Sequence, residues 1–268
     1  MQKTASAFRL FHAALRSAIL VIGLMAPPFA FAELTNGGLI GPGVRSRPAY
    51  DGSDDQRTEL VPVIRYFGQP WFVRSTQGVL EGGARMLLGP GLHLGAQVAY
   101  EPGRRSRESD FLRSRGAASV DRGASVGAHV EWDTKVGRAP ITVLARARQN
   151  IDSDEGAQAD LRVSVGVFES GRVAAGLFTQ ATWASENSTR SLYGVTPQQS
   201  AATGLRVYEP GGGLLFTSFG LLWSVDLTRD WAIVGSVEAR HLRGDAEGSP
   251  LTERSTNGYV SAGVAYRF

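Results

Sequence analysis

Apolar residues fall at every second position through the last eleven residues, Gly258 to Phe268. Val260, Ala262, Val264, Tyr266 and Phe268 share one face, and Tyr259, Ser261, Gly263, Ala265 and Arg267 fill the other. An alternation this long reads as a strand with one greasy face and one small or polar face. The pattern recurs along the chain. Leu92, Leu94, Ala96, Val98 and Tyr100 oppose His93, Gly95, Gln97 and Ala99, and Val126, Ala128, Val130 and Trp132 oppose Ser125, Gly127, His129, Glu131 and Asp133. Further alternating segments begin at Ile141, Leu161, Val173, Leu214 and Trp231. A soluble sandwich would alternate too, so the choice of fold rests on other features.

The N-terminus points to export. Lys3, Arg9 and Arg16 form a basic leader, Ala18 to Ala26 is an uncharged apolar run, and Ala30-Phe31-Ala32 is a small-x-small cleavage site. Residues 1–32 therefore read as a secretory signal peptide, too short in its apolar core to span a bilayer. Its removal takes away three basic residues and no acid, leaving 25 of each sign in residues 33–268. That balance gives no polycation for nucleic acid to bind. The chain has no cysteine, which excludes disulfides, thiolate metal sites and a cysteine nucleophile. Beyond the leader no apolar run has the length of a membrane helix, so a membrane crossing would have to be made by strands.

Three features favour a transmembrane barrel in a single domain, residues 33–268. The faces opposite the apolar ones carry arginine, acids and histidine. Tight connections (Phe67–Pro70, Gly89–Gly91, Val136–Pro140, Ser170–Arg172, Thr228–Asp230) alternate with long polar ones (47–57, 101–123, 151–158, 185–213, 243–257). Short periplasmic turns and long extracellular loops are the rule for such barrels. Aromatics also stand near strand ends, at Tyr66, Trp71, Tyr100, Trp132, Trp183, Trp231 and Tyr266, where interfacial girdles belong.

With both ends in the periplasm the strand number must be even. The stretch Trp71–Leu88 is too long for one strand and is expected to break near Gln77-Gly78, giving an all-β antiparallel barrel of twelve strands, with ten as the fallback. No helix is expected. The terminal strand is expected to pair with the first, around Leu39–Arg45. Its Tyr266 and Phe268 are similar to the terminal signal read by the barrel-assembly machinery.

The expected lumen charges are Arg65, Glu131, Asp133, Arg146, Arg148, Asp160, Arg162, Glu238 and Arg240, with Asp226 and Arg267 on the same faces. Neighbouring strands place Arg146 and Arg148 within reach of Glu131 and Asp133 on one side and Asp160 on the other. The mixture of signs favours a salt-bridged plug, and a narrow channel or an arginine ladder for anionic sugars is the alternative. His129 beside Glu131 and Asp133 suits a lumen hydrogen bond better than a general base, since no nucleophile stands nearby. His93 is near a periplasmic turn, and His241 faces outward at a strand end. Tyr50-Asp51-Gly52-Ser53-Asp54-Asp55 has close carboxylates but no bidentate glutamate at calcium-loop spacing, and reads better as a solvated acidic turn. Nothing implies a cofactor or an enzymatic site.

The loop segments occur in a characteristic order: the Tyr50 turn, then Tyr193-Gly194-Val195-Thr196, Gln199-Ser200, Gly204-Leu205, Tyr208 and Gly211-Gly212. After these come Leu242-Arg243-Gly244-Asp245-Ala246 and Ser249-Pro250-Leu251-Thr252. With Pro62 and Gly103-Arg104, this order resembles the outer-membrane MipA/OmpV family of murein-synthesis scaffolding proteins, across most of residues 50–268. Two places depart from that pattern, at Leu192 before Tyr193 and at Leu112–Gly116. The resemblance implies a non-enzymatic barrel in the lipid bilayer of the outer membrane. The implied role is docking of peptidoglycan enzymes, namely a lytic transglycosylase and a penicillin-binding protein. A narrow passive channel for small solutes and surface adhesion by the outer loops are the other readings.

Overall fold

The computed structural model describes residues 38–268 apart from Gln77, Pro102 and Arg122. The leader and its cleavage site lie outside the described residues. Twelve antiparallel strands close into one barrel in simple sequence order, each paired with its chain neighbours and the last with the first. They are β1 (Leu39–Pro48), β2 (Gln56–Phe67), β3 (Trp71–Thr76), β4 (Val79–Gly89), β5 (Leu92–Glu101) and β6 (Gly123–Val136). The second half is β7 (Ala139–Asn150), β8 (Ala157–Ser170), β9 (Val173–Ala184), β10 (Gly213–Asp226), β11 (Trp231–Leu242) and β12 (Thr256–Arg267). Closure joins the last strand to the first, which is what lets strands cross a membrane.

The even-strand expectation holds. The stretch from Trp71 divides into β3 and β4, with Gly78 at φ +83 in the connection, where only glycine turns without strain. The terminal alternation is the seam. β12 pairs with β1 from Leu39 opposite Arg267 to Ser46 opposite Val260, and Phe268 and Gly38 exchange two backbone hydrogen bonds of 3.1 Å. Phe268 stacks on Tyr66 with ring centroids 6.3 Å apart, and Trp231 meets Tyr266 edge-on at 5.4 Å. All seven strand-end aromatics are exposed on the outer surface. The alternation follows from the pleat: leucine, valine and tryptophan point out, while alternate charged or small residues point in.

The barrel's two ends differ. Connections 68–70, 90–91, 137–138, 171–172 and 227–230 lie with both ends of the barrel wall, and connections 49–55, 102–122, 151–156, 185–212 and 243–255 lie opposite. These longer segments are not helix-free. They contain α1 (Asp110–Ser114), α2 (Glu186–Tyr193), α3 (Pro197–Thr203) and α4 (Gly244–Glu247). Each helix is a turn or two long, too short for a helical period to show in polar sequence. Local caps fix three of them: Ser109 and Ser185 accept from amides three residues on, and Thr196 forms a reciprocal capping box with Gln199.

Nor do these loops reach freely into solvent. Ala49, Tyr50, Leu112, Ala117, Val195 and Leu251, from four different loops, form one buried apolar cluster. Tyr193, Leu215, Phe216, Leu242 and Ala246 belong to a second, with Ala184. Together they make a packed cap over the long-loop end.

Candidate functional site

The lumen charges assemble on the arc formed by β3 to β8. Arg74 of β3 pairs with Glu81 of the adjacent β4, and reaches Glu131 of β6 at 2.9 Å. Arg85 approaches the other oxygen of Glu131 at 3.2 Å. Arg146 of β7 bridges Glu81 at 2.7 Å and Asp160 at 2.8 Å. Arg148 pairs with Glu101 at 2.8 Å and lies 3.6 Å from Asp160. Gln97 donates to Glu81 at 2.8 Å and meets His129 Nδ1 at 2.7 Å, and the His129 ring stands edge-on to Phe72. Glu81, only 1% exposed, is the hub. Buried carboxylates and guanidinium groups must be matched in this way, because one left alone costs several kcal/mol.

The partners differ from those expected between adjacent strands. Arg146 does meet Asp160, but Glu131 is held by Arg74 and Arg85, and Asp133 accepts from Thr142 at 2.6 Å. Long arginine side chains reach across the barrel's curvature, so the pairing is set by chord distance rather than by strand order. His93, Glu131 and Asp133 bring metal-type ligand atoms together. Two arginines already neutralise Glu131, and they would repel a cation. His241 faces outward at its strand end, with Nδ1 2.7 Å from Thr256 Oγ1 and Nε2 3.7 Å from Glu247.

The remaining charges lie elsewhere. Arg162 stacks over Phe178 at 3.8 Å, Arg65 lies over Phe67 at 5.3 Å, and Arg267 binds Asp226 at 2.8 Å. Arg240 pairs with Glu238 at 3.2 Å and with Asp51 at 2.6 Å, and its guanidinium lies over the rings of Phe216 and Tyr259. The lumen is not polar throughout. Leu39, Val61, Val63, Leu144, Phe178, Leu222 and Val234 contribute to one cavity of about 560 Å³.

The acidic turn is therefore not solvated. Asp51 binds Arg240 and accepts from Tyr259, while its carbonyl accepts from Tyr193 at 3.1 Å. Burial opposes ionisation there, yet Arg240 and the Tyr259 hydroxyl hold the carboxyl below its ordinary value. Tyr50 donates to Leu251 O at 2.7 Å, Ser249 to Tyr193 O at 2.6 Å, and Asn257 to Ser53 O at 2.8 Å. Arg104 donates to Leu192 O. The segments whose order stood out in the sequence thus bind one another: they knit the cap. Only Asp54, paired with Arg254 at the surface, fits the solvated reading.

Comparison with known proteins bears on fold and family. The COG4313 outer membrane channel from Pseudomonas putida F1 superposes with a TM-score of 0.51 at 12% identity, over 91% of this chain and all of that one. At that identity the likeness is one of fold, an outer-membrane barrel. The MltA-interacting proteins of Escherichia coli (strain K12) and Shigella flexneri are each 33% identical over 86 residues. Those residues make up 32% of this chain and only 34% of each relative. The family described as MltA-interacting protein MipA matches residues 40–268, a span that takes in the twelve strands but for Leu39, together with the loop cap. The chain belongs to the MipA family.

Proposed function

We propose that this barrel is a non-enzymatic docking protein of the outer membrane, which holds a lytic transglycosylase at its periplasmic end. The observation that carries this reading is the cap. The long loops, which would have to stay open for solute passage or face outward for adhesion, are bound to one another around Asp51, Tyr193 and Leu251. Beneath them, the ion pairs centred on Glu81 and Arg146 cross-link the lumen. A lumen capped and cross-linked in this way suits a rigid platform better than a conduit.

The short-turn end, with Phe268 at its rim, is then the periplasmic face. Its turns are small, but Lys135, Arg138, Arg172 and Arg229 are exposed there against Glu169 and Asp230. A basic rim suits an acidic partner surface. The two family relatives named as MltA-interacting point to the same class of partner. A penicillin-binding protein would join through the transglycosylase.

Crosslinking in intact cells, followed by purification of the barrel, tests the proposal. A lytic transglycosylase is expected in the purified complex, and it should be lost when Arg138, Arg172 and Arg229 are changed together to Glu. A crosslinked barrel that brings down no transglycosylase would sink the idea.

A further inference from the structure

Among the described residues the wall has a break in strand pairing beside β2. β2 is paired with the whole of β1, from Leu39 opposite Arg65 to Pro48 opposite Gln56. On its other side it pairs with β3 only at Arg65, Tyr66 and Phe67. Just beyond, the Ser75 hydroxyl takes the place of backbone, accepting from Ile64 N–H at 3.1 Å and donating to Pro62 O at 2.9 Å. From there β3 ends at Thr76, while β2 runs on. By the two-residue alternation, Thr58 and Leu60 turn their backbone groups the same way as Pro62 and Ile64. Among the described residues no strand meets them on that side. From Thr58 to Val61, before the Ser75 bonds begin, the open edge is roughly 13 Å long at about 3.3 Å per residue.

Pro62 stands on this edge with no N–H to waste, as prolines on open edges do. The loop before α1 closes the top, where Glu108 meets Arg47 at 3.4 Å and its carbonyl meets Arg57 at 3.5 Å. The result is a window framed by β2, the β3–β4 hairpin and Tyr100. Bare backbone facing lipid is costly, so such a window implies an occupant or water.

The window opens on the 560 Å³ cavity, which Leu60 to Ile64 line together with Ser75, Leu80 and Tyr100 on its far margin. Leu60, 84% exposed, marks its outer lip. Inside, Val61, Val63, Leu144, Phe178 and Leu222 give an apolar wall. The charges on the cavity do not balance: Arg45, Arg47, Arg65, Arg74 and Arg162 oppose Glu59, Glu131 and Glu238. Two buried guanidinium nitrogens, Arg162 Nη1 and Arg74 Nη2, have no hydrogen-bond partner among the described residues, and each belongs to a residue 9% exposed. A buried donor left unmatched costs free energy that an anion would recover.

We propose that the cavity takes up a single-chain carboxylate amphiphile from the membrane through this window. The carboxylate meets Arg162 and Arg74. The alkyl chain lies along Val61 and Val63 and leaves between Leu60 and Leu80 into lipid, so that it never crosses water. The size and the mainly apolar lining with a few convergent polar groups are those of a lipid-sized ligand site.

The chain contains no cysteine, so the test can be made after folding. Leu60→Cys places the only thiol at the window, and Leu161→Cys places it on the uninterrupted wall of β8. Each is folded, checked by its heat-dependent gel mobility, and coupled to a bulky maleimide. Radiolabelled oleate and oleyl alcohol, presented in detergent micelles, are the probes. One oleate per barrel is expected, bound more tightly than the alcohol, abolished by the label at position 60 and unchanged by that at 161. Arg162→Gln should weaken oleate about tenfold, as loss of a charge-assisted hydrogen bond does, and leave the alcohol unaffected. Absence of saturable oleate binding overturns the proposal. So does binding that survives the label at position 60, or that treats acid and alcohol alike. Capture of a transglycosylase is read independently of all these outcomes.

Discussion

Arg240 Nη1 lies 2.6 Å from Asp51 Oδ2, joining β11 to the first loop across 189 positions of sequence. Tyr259 donates to the other oxygen of the same carboxylate. Asp51 is therefore the point at which the cap is fastened to the wall. Asp51→Ala leaves Arg240 largely buried beside Glu238 alone. The expected loss is about 2 kcal/mol, between the values for exposed and buried pairs, read from the temperature at which the gel-mobility shift disappears.

The same carboxyl sets a pH dependence. Its folded pKa lies below the unfolded 3.8 despite burial, because Arg240 and Tyr259 favour the anion. Its contribution is then complete above pH 3.8 and is lost as pH falls through the lower folded value. Protease cleavage of the loops should rise in that acidic range. In Asp51→Asn it should already be raised at neutral pH and change little there.

Glu81 takes two arginines and Gln97 at the centre of the lumen. Glu81→Ala takes one of two acidic partners from each of Arg74 and Arg146, which keep Glu131 and Asp160, and is expected to cost about 3 kcal/mol, at the low end for a broken buried pair. The double change Glu81→Ala with Arg146→Ala should recover part of that loss and loosen the plug. In a planar bilayer the parent barrel is expected to be silent and the double variant to give discrete conductance steps.

Two turn glycines should respond differently to alanine. Gly91 has φ +68, and a Cβ there would collide with the Asp133 carbonyl oxygen, which also lies beside the backbone bond between Asp133 and Gly91. Gly171 has φ +58 but open space around it. Gly171→Ala is expected to cost about 1 kcal/mol from backbone strain alone. Gly91→Ala should cost clearly more, measured by urea unfolding of the refolded barrel.

Leu112 is fully buried in the cap, far from the β-ladder. Leu112→Ala is expected to loosen the cap by about 3 kcal/mol without releasing the barrel. Limited proteolysis should cut near α1 while the heat-dependent mobility shift persists.

Removal of Phe268 takes away the ring on Tyr66 and the backbone bonds to Gly38 that close the seam. A fall in folded barrel in the outer membrane is expected, measured by fractionation, together with a smaller loss of stability in the refolded protein. An unchanged yield would separate the terminal aromatic from assembly.

The wall was legible because a strand's side chains alternate whatever lies around it. Val260 to Phe268, the split of Trp71–Leu88 and the even strand number all follow from period, turn length and closure, and they place Arg146, Glu131 and Arg162 on the inner face. The partners did not follow. Glu131 meets Arg74 and Arg85 rather than Arg146 because arginine side chains span the lumen, and a chord has no signature in sequence. The short helices α1 to α4 and the engagement of Asp51 by Arg240 and Tyr259 were hidden for a related reason: each loop is polar on average, and its few apolar residues find one another only when four loops meet. The window beside β2 belongs to the same class. Pro62 hinted at an edge, but only the length of β3 against its neighbour decided that the edge stays open. Local periodicity thus determined the barrel. The cap, the ion pairs and the opening were decided by distances that exist only once the barrel has closed.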